Sequence, residues 1–220
     1  MERLGSIIKK ALLILVVVLA FYLIPTRNLY VKPAYQYPNM PNGCEITSLE
    51  MLMRYNGFDV SKEFLNDNFL KHSSMSNADP DLAYIGSPYG KSSGYYSYAA
   101  PIAEAANKYF ESNNVSIKAK DKTGMTVFGV LNQIIFKKKP VAVWYTVDDE
   151  KPRYNGTYYT SPSGEKEPLY ANLHCVVVDG VSKGMISIVD PEKGRREINF
   201  IEFTKLYMQM GQRAVVIWYN

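Results

Sequence analysis

The chain has 220 residues, of which 47% are hydrophobic and 21% are charged, so it is long enough to bury one substantial globular core. The formal net charge is +4, and because the first ten residues carry +2 of it, only +2 is left for the remainder. This weak charge, without a basic run interleaved with aromatic residues, excludes nucleic acid as an expected partner.

The N-terminal segment has the pattern of a targeting signal. A basic stretch ending in Lys9 and Lys10 precedes an unbroken apolar run at 11–24. The run is shorter than the ~20 residues of a comfortable membrane span and is typical of a secretory signal. Because no small-x-small cleavage site follows it, an uncleaved anchor is favoured over a removed signal peptide. We therefore predict that residues 1–28 form one hydrophobic helix at the cell membrane. Residues 29–220 are then one domain outside the membrane, which is secreted if the signal is removed.

Beyond this segment, hydrophobic spacing separates an early helical part from a later part rich in strands. Two polar segments, 72–97 and 147–169, are predicted as long surface loops. This order indicates an α+β fold in which a helical half packs on an antiparallel sheet. The predicted elements are, in chain order, an extended stretch at 29–35, a proline-rich turn at 37–43, helices at 44–55, 61–70 and 98–110, a strand at 115–119, a helix at 126–136, strands at 140–146, 173–178 and 185–189, a helix at 200–210 and a strand at 213–219.

Cys44 is the candidate nucleophile because it stands at the predicted start of a helix, with Asn42 as a candidate cap. The helix macrodipole there should lower the pKa of the thiol below that of a free cysteine. Such a nucleophile also needs an imidazole base, a group that orients the imidazole and donors for the oxyanion. Of the two histidines, His72 lies in a polar loop, whereas His174 begins a β-branched run that can hold its ring. His174 is therefore the predicted base.

Two aspartates could orient the ring of His174. If the hairpin turn is centred on Ser182, Asp190 lies directly across from His174, and directly opposed Cβ atoms are about 4.5–5.5 Å apart. Asp179 lies on the same strand as His174 but, by alternation, on its opposite face. We therefore predict Asp190 as the orienting residue, although a shift of the turn by one residue would swap the faces.

The two cysteines also allow a different interpretation, because an exported chain can pair Cys44 with Cys175 in a structural disulfide. If His174 points towards Cys44, alternation turns Cys175 to the other side of the sheet, where the two sulfur atoms are too far apart to bond. The disulfide and the catalytic pair are therefore mutually exclusive. In the catalytic interpretation, Cys175 is only a small buried residue.

A set of short motifs runs from about Tyr35 to the C-terminus. It comprises Gln36, Pro41-Asn42-Gly43-Cys44-Glu45 with Ser48, Asp79-Pro80 with Gly86 and Pro88, Pro140-Val141, His174 followed by 176–180, and Asp190-Pro191. This order resembles the peptidase C39-like family of papain-like cysteine peptidases, and especially a standalone exported branch related to the double-glycine leader peptidases. The resemblance implies a papain-like fold with Cys44 as nucleophile, His174 as base, Asp190 as orienting residue and Gln36 as side-chain oxyanion donor.

The leader peptidases are usually parts of ABC exporters, and this sequence carries no transporter or ATPase motif. A particular substrate therefore does not follow from the resemblance. The sequence predicts a hydrolase that cleaves an amide bond of a peptide or protein outside the membrane through a Cys/His/Asp triad. Acyl transfer to an amine would use the same residues. The rivals from other classes are a non-catalytic surface binding module with tyrosine-rich loops and a disulfide-stabilised domain. No cofactor or metal motif is found, because Asp79 and Asp81 alone offer too few oxygens for calcium.

Overall fold

The computed structural model describes residues 25–76, 79–92, 94–161 and 164–219, and in this part of the chain an antiparallel sheet lies between two layers of helices. The predicted helix at 11–24 lies outside the described residues, and no helix within them is long and apolar enough to cross a membrane. The elements are β1 (Arg27–Asn28), α1 (Cys44–Tyr55), α2 (Lys62–Phe69), β2 (His72–Ser73), β3 (Tyr84–Ile85), α3 (Ala99–Ser112), β4 (Ile117–Asp121), α4 (Val127–Asn132), β5 (Val141–Thr146), β6 (Tyr154–Thr160), β7 (Lys166–Tyr170), β8 (Leu173–Ser182), β9 (Met185–Asp190), β10 (Gly194–Asn199), α5 (Phe200–Gln209) and β11 (Ala214–Tyr219).

The main sheet has the strand order β10-β9-β8-β5-β11-β4, and β1 also pairs with β8. Alternation along its strands builds two apolar cores, one on each face. Val177 and Val189 lie in the core under α1, α2 and α3, whereas Val176, Val178 and Ile188 lie in the core shared with α4 and α5. The α+β class predicted from the order of the elements is confirmed, and helices cover both faces of the sheet.

Helix α1 begins at Cys44, as predicted, and ends where Gly57 adopts a φ of +90°. The capping prediction for Asn42 is wrong. The N-cap residue is Gly43, which makes no side-chain capping bond, and its carbonyl accepts a hydrogen bond of 2.7 Å from the Thr47 hydroxyl. The amide of Asn42 is instead directed to a neighbouring loop, so it fixes the approach to the helix and does not cap it.

The hairpin between β8 and β9 has a different register from the predicted one. Met185 pairs with Ser182, so the turn is two residues long, and the left-handed φ values of Lys183 and Gly184, +46° and +80°, suit such a turn. A bulge at Asp179 then adds one residue to β8, between the pairs of Val178 and Gly180. His174 is therefore not directly opposite Asp190. It is displaced by two residues, which keeps both side chains on one face.

The two predicted loops contain strands that the sequence pattern did not indicate. Segment 147–169 contains most of a hairpin made by β6 and β7, and segment 72–97 contains β2 and β3, which pair in parallel. Most side chains of β6 are exposed, so the strand lacks the apolar alternation by which strands are recognised. β10 was missed for a related reason, because its sequence GRREIN is largely polar and it lies at one end of the strand order. The helix predicted at 126–136 is present, and its last turn is a π-helix.

Candidate active site

Cys44 lies at the N-terminus of α1 and is 7% exposed. It lines a cleft of about 540 Å³ together with Gln36 and His174. One wall of this cleft comes from the loop between β3 and α3, through Gly94, Tyr95 and Tyr96. The segments around β7 and β8 also line the cleft. The structure thus brings three of the four predicted site residues to one cavity.

The fourth predicted residue, Asp190, forms a hydrogen bond with the ring of His174. Nε2 of His174 lies 2.8 Å from Oδ1 of Asp190, and both residues are at most 2% exposed. An ionised carboxylate only accepts hydrogen bonds, so Nε2 of His174 is the donor and Nδ1 is the ring nitrogen that does not contact Asp190. Burial raises the pKa of Asp190, but the hydrogen bond and charge of His174, the Glu192 amide and Arg196 together hold it below its usual value. The Asp190 carboxylate is therefore the ionised acceptor that fixes the orientation of the His174 ring.

Arg196 is a member of this cluster that the sequence analysis missed. Its Nε and Nη2 lie 3.3 and 3.2 Å from Oδ2 of Asp190, and its Nη1 donates to Asp149 at 2.7 Å. Because β10 places Gly194 opposite Asp190, Arg196 is two residues further along the neighbouring strand and reaches Asp190 diagonally. Because the sequence pattern did not predict β10, it could not predict the contact between Arg196 and Asp190.

Gln36 lies beside the cleft and is 2% exposed. Its Nε2 donates to the carbonyl of Pro41 at 2.7 Å and to Oε1 of Glu192 at 3.2 Å. The backbone amide of Glu192 in turn donates to Oδ1 of Asp190 at 2.8 Å. The segment 190–192 therefore connects the orienting carboxylate to the candidate oxyanion donor, and in this structure Glu192 accepts one of the two amide hydrogens of Gln36.

The environment of the Cys44 thiol differs from the predicted one. Burial, the carboxyl group of Glu45 and nearby Cys175 raise the pKa of Cys44 well above its usual value, so the expected lowering by the helix dipole is outweighed. The thiol donates to Oε2 of Glu45 at 3.2 Å. The structure therefore has a protonated thiol that is hydrogen-bonded to its sequence neighbour.

Both cysteines are free and buried. The expectation that Cys175 points away from Cys44 is wrong, because Cys175 lies with Cys44 in the core under α1. Alternation explains the error, since Cys175 shares its face with Val177, whereas His174 at the end of the strand lies on the other face. Cys44 and His174 nevertheless line the same cleft. The carbonyl of Cys175 also accepts a hydrogen bond from Ser48 at 3.1 Å.

The other predicted features lie apart from this cluster. His72 is exposed, and its Nδ1 lies 2.9 Å from the carbonyl of Gly86. Asp179 is fully buried but contacts Arg195, Ser187 and the amide of Val31 rather than the histidine.

Comparisons with known proteins agree with the geometry. The model of the family described as "Peptidase_C39 like family" matches residues 28–215. The protein YvpB of Bacillus subtilis strain 168, itself uncharacterised, is 32% identical over 186 residues, which are 82% of this chain and 70% of YvpB. A crystal structure from Bacillus anthracis, assigned to the C39-like peptidases, superposes with a TM-score of 0.76 and 26% identity, over 89% of this chain and 98% of that one.

Proposed function

This chain belongs to the Peptidase_C39 like family, and on that premise we propose that it is a cysteine peptidase that hydrolyses amide bonds of peptides or proteins. In this proposal Cys44 is the nucleophile, His174 the base and Asp190 the orienting residue. The observation that carries it is the 2.8 Å contact between His174 and Asp190, which leaves the other ring nitrogen available in the cleft that Cys44 also lines.

The proposed reaction has two halves. Nδ1 of His174 takes the thiol proton, and the sulfur of Cys44 forms a bond to the substrate carbonyl carbon. His174 returns the proton to the leaving amine as the amide bond breaks, which leaves a thioester on Cys44. Water, deprotonated by the same nitrogen, then attacks the thioester and releases the acid and the thiol. Asp190 accepts from the opposite nitrogen throughout and stabilises the imidazolium whenever it forms.

Gln36 and the backbone amide of Cys44 are the proposed donors to the oxyanion. The amide hydrogen that Gln36 gives to Pro41 fixes its orientation. The hydrogen now given to Glu192 is the one available to a substrate, so productive binding requires the carboxylate of Glu192 to move aside. Arg196 keeps Asp190 in place from the far side.

The test is covalent labelling of the full chain with iodoacetamide at a series of pH values, with mass spectrometry to locate the label. Burial and Glu45 raise the pKa of the resting thiol, but transfer of its proton to His174 supplies the thiolate in the proposed reaction. We therefore expect Cys44 to be labelled at pH values well below the usual thiol pKa, and His174→Ala to abolish this fast labelling. His72→Ala is the matched control, because it removes the other histidine, an exposed one, and should leave the rate unchanged. Ordinary thiol reactivity of Cys44 in the wild type would contradict the proposal.

A peptide library then identifies the products. Two fragments with a free acid and a free amine indicate hydrolysis, whereas a new amide indicates acyl transfer. Cys44→Ser should abolish either product. An unchanged biological effect of Cys44→Ser would instead support the binding-module alternative.

We also propose that the domain acts outside the cell membrane, tethered or released through residues 1–28. The basic stretch and the apolar run in the sequence support this proposal. In intact cells that express the full chain, an added protease should degrade the domain while a cytosolic marker survives. Protection of the domain in intact cells would contradict it.

A further inference from the structure

Glu45 is a buried acidic residue beside the proposed nucleophile, and the reaction described above gives it no role. It is 0% exposed. Its Oε2 accepts from the Cys44 thiol at 3.2 Å, and its Oε1 accepts from the backbone amide of Ser97 at 3.0 Å. Ser97 is fixed in turn, since its carbonyl accepts from the indole of Trp144 at 2.8 Å. The carboxyl group is therefore held against the sulfur by the Ser97 amide, which Trp144 in turn fixes.

The titratable groups that act on this carboxyl are on three elements. Cys44 is on the same helix, Cys175 and His174 are on β8, and Tyr84 is on β3. Of these groups, His174 is the only one that becomes a cation. Burial raises the pKa of Glu45 to about 7, although its own amide, the Cys44 thiol, the Ser97 amide and His174 oppose the rise. Near neutral pH the carboxyl group therefore exists in both protonation states.

A thiolate on Cys44 conflicts with an ionised Glu45. The two groups are 3.2 Å apart in a site from which water is largely excluded, where repulsion between like charges is several times stronger than in bulk water. A neutral carboxyl group at the same place removes this repulsion and offers an O–H to the sulfur. Charge-assisted hydrogen bonds of this kind are the stronger ones.

We propose that Glu45 is a positioning residue whose carboxyl group must be protonated when Cys44 acts, so that it donates a hydrogen bond to the thiolate. This inference rests on the proposed function. The thiol proton still passes to His174, and the carboxyl proton stays on Glu45. The arrangement in the structure, with the thiol donating to the carboxylate, is the resting form. Uptake of one proton converts it to the reactive form.

The test is the pH profile of Cys44 labelling in the full chain with Glu45→Gln. The amide of glutamine can donate to the thiolate and accept from Ser97 at every pH, so it imitates the protonated acid. At pH 6 the variant and the wild type should react at similar rates. At pH 8, one unit above the Glu45 pKa, about 90% of the wild-type carboxyl groups are ionised, and the variant should react about tenfold faster.

The matched control is Glu50→Gln on the same helix. Glu50 is 3% exposed and contacts Arg54 at 2.6 Å, and the thiol makes no contact with it in the described residues. Its profile should follow that of the wild type. Equal rates for Glu45→Gln and the wild type at pH 8, with the His174 dependence intact, would overturn the role of Glu45 and leave the proposed function standing. If His174→Ala labelled Cys44 as fast as the wild type does, the proposed function itself would be contradicted.

A second measurement needs no folded Glu45 variant. Infrared difference spectra of the wild type between pH 6 and pH 8 should show a protonated, buried carboxyl group that disappears at the higher pH. Alkylation of Cys44 should shift that band, because it removes the sulfur as a hydrogen-bond partner. Absence of any protonated carboxyl band at pH 6 would overturn the inference.

Discussion

At the scale of single residues, the site depends on the protonation state of carboxyl groups in unlike surroundings. Asp190 lies among donors, namely the ring of His174, the amide of Glu192 and the guanidinium of Arg196, and its pKa is lowered despite burial. Glu45 has fewer donors, and burial dominates, so its pKa is raised to about 7. In the proposed mechanism the two carboxyl groups therefore have separate tasks: Asp190 stays ionised and accepts from the imidazole, whereas Glu45 takes up a proton and donates to the sulfur.

The lowered pKa of Asp190 predicts how stability depends on pH. A carboxyl group whose pKa is lower in the folded state stabilises the fold above its unfolded pKa of about 4, and this contribution is lost as the pH falls through the folded pKa. Asp190→Asn should therefore lower the free energy of unfolding at pH 7 and lower it less at pH 3. Urea unfolding at the two pH values measures the difference.

A carboxyl group at the surface provides the comparison. The side chain of Asp59 is 98% exposed, so Asp59→Asn should follow the wild type at both pH values. If the deficit of Asp190→Asn were equally large at pH 3 and pH 7, the stabilisation would come from packing rather than from the ionised carboxylate.

At the scale of elements, the bulge in β8 decides whether the histidine and the aspartate meet. From the pairing of Ser182 with Met185, uninterrupted strands would place His174 on the face opposite Asp190. The one extra residue, Asp179, reverses the face of every residue between it and the start of β8. The contact between His174 and Asp190 therefore depends on one irregular residue.

The buried side chain of Asp179 explains why the irregularity persists. Its Oδ1 accepts from Ser187 at 2.9 Å, and its Oδ2 accepts from the amide of Val31 at 3.1 Å and from Arg195. Arg195 also donates to the carbonyl of Val31 at 2.7 Å. The same residue that forms the bulge therefore attaches the segment after β1 to the sheet.

Asp179→Ala should destabilise the fold, because it removes the acceptor for the Ser187 hydroxyl and the Val31 amide and the carboxylate that pairs with Arg195. We expect a loss of roughly 2–4 kcal/mol in the free energy of unfolding. Chemical denaturation should report it as a lower midpoint. Glu104→Ala removes an exposed ion pair with Lys108 on α3 and should change the midpoint little. Equal midpoints for the two variants would contradict the structural role of Asp179.

At the scale of the whole molecule, the sequence predicted what depends on local pattern and missed what depends on long-range pairing. Helix α1 begins at Cys44 as predicted, because its apolar spacing and the preceding prolines are local features. The association of His174 with Asp190 was also predicted, but from a register in which they face each other directly. The bulge that brings them together is invisible in the pattern, since no residue type specifies it.

The missed members of the site have a common cause. Arg196 reaches Asp190 from β10, and a polar edge strand lacks the apolar alternation that predicts strands. Glu192 contacts Gln36 across 156 positions of the sequence. Glu45, by contrast, is part of the motif around Cys44, and from the sequence it either orients the thiol region or simply favours the helix N-terminus. The burial of its side chain, which raises its pKa, is visible only in the structure.

The cleft itself is assembled from distant segments, and Asn42 joins two of them. Its Nδ2 donates to the carbonyls of Gly90, Lys91 and Gly94 at 2.9, 3.2 and 3.3 Å. The Tyr84 hydroxyl donates to the carbonyl of Asn42 at 2.7 Å, so the turn before Cys44 is attached to the loop that forms one wall. The shape of the cleft should therefore depend on this one amide.

Asn42→Ala should release that wall without unfolding the sheet. Amide hydrogens of residues 86–92 should exchange faster with solvent, whereas those of β8 should keep their protection, because local opening does not require global unfolding. Hydrogen exchange with mass spectrometry measures both in one experiment. Asn113→Ala removes an asparagine that donates to the Tyr109 carbonyl at the end of α3, and it should leave residues 86–92 unchanged. If exchange in 86–92 were the same in Asn42→Ala as in the wild type, other contacts would hold the wall. If protection were lost throughout β8 as well, the turn before Cys44 would be required for the whole fold rather than for the cleft alone.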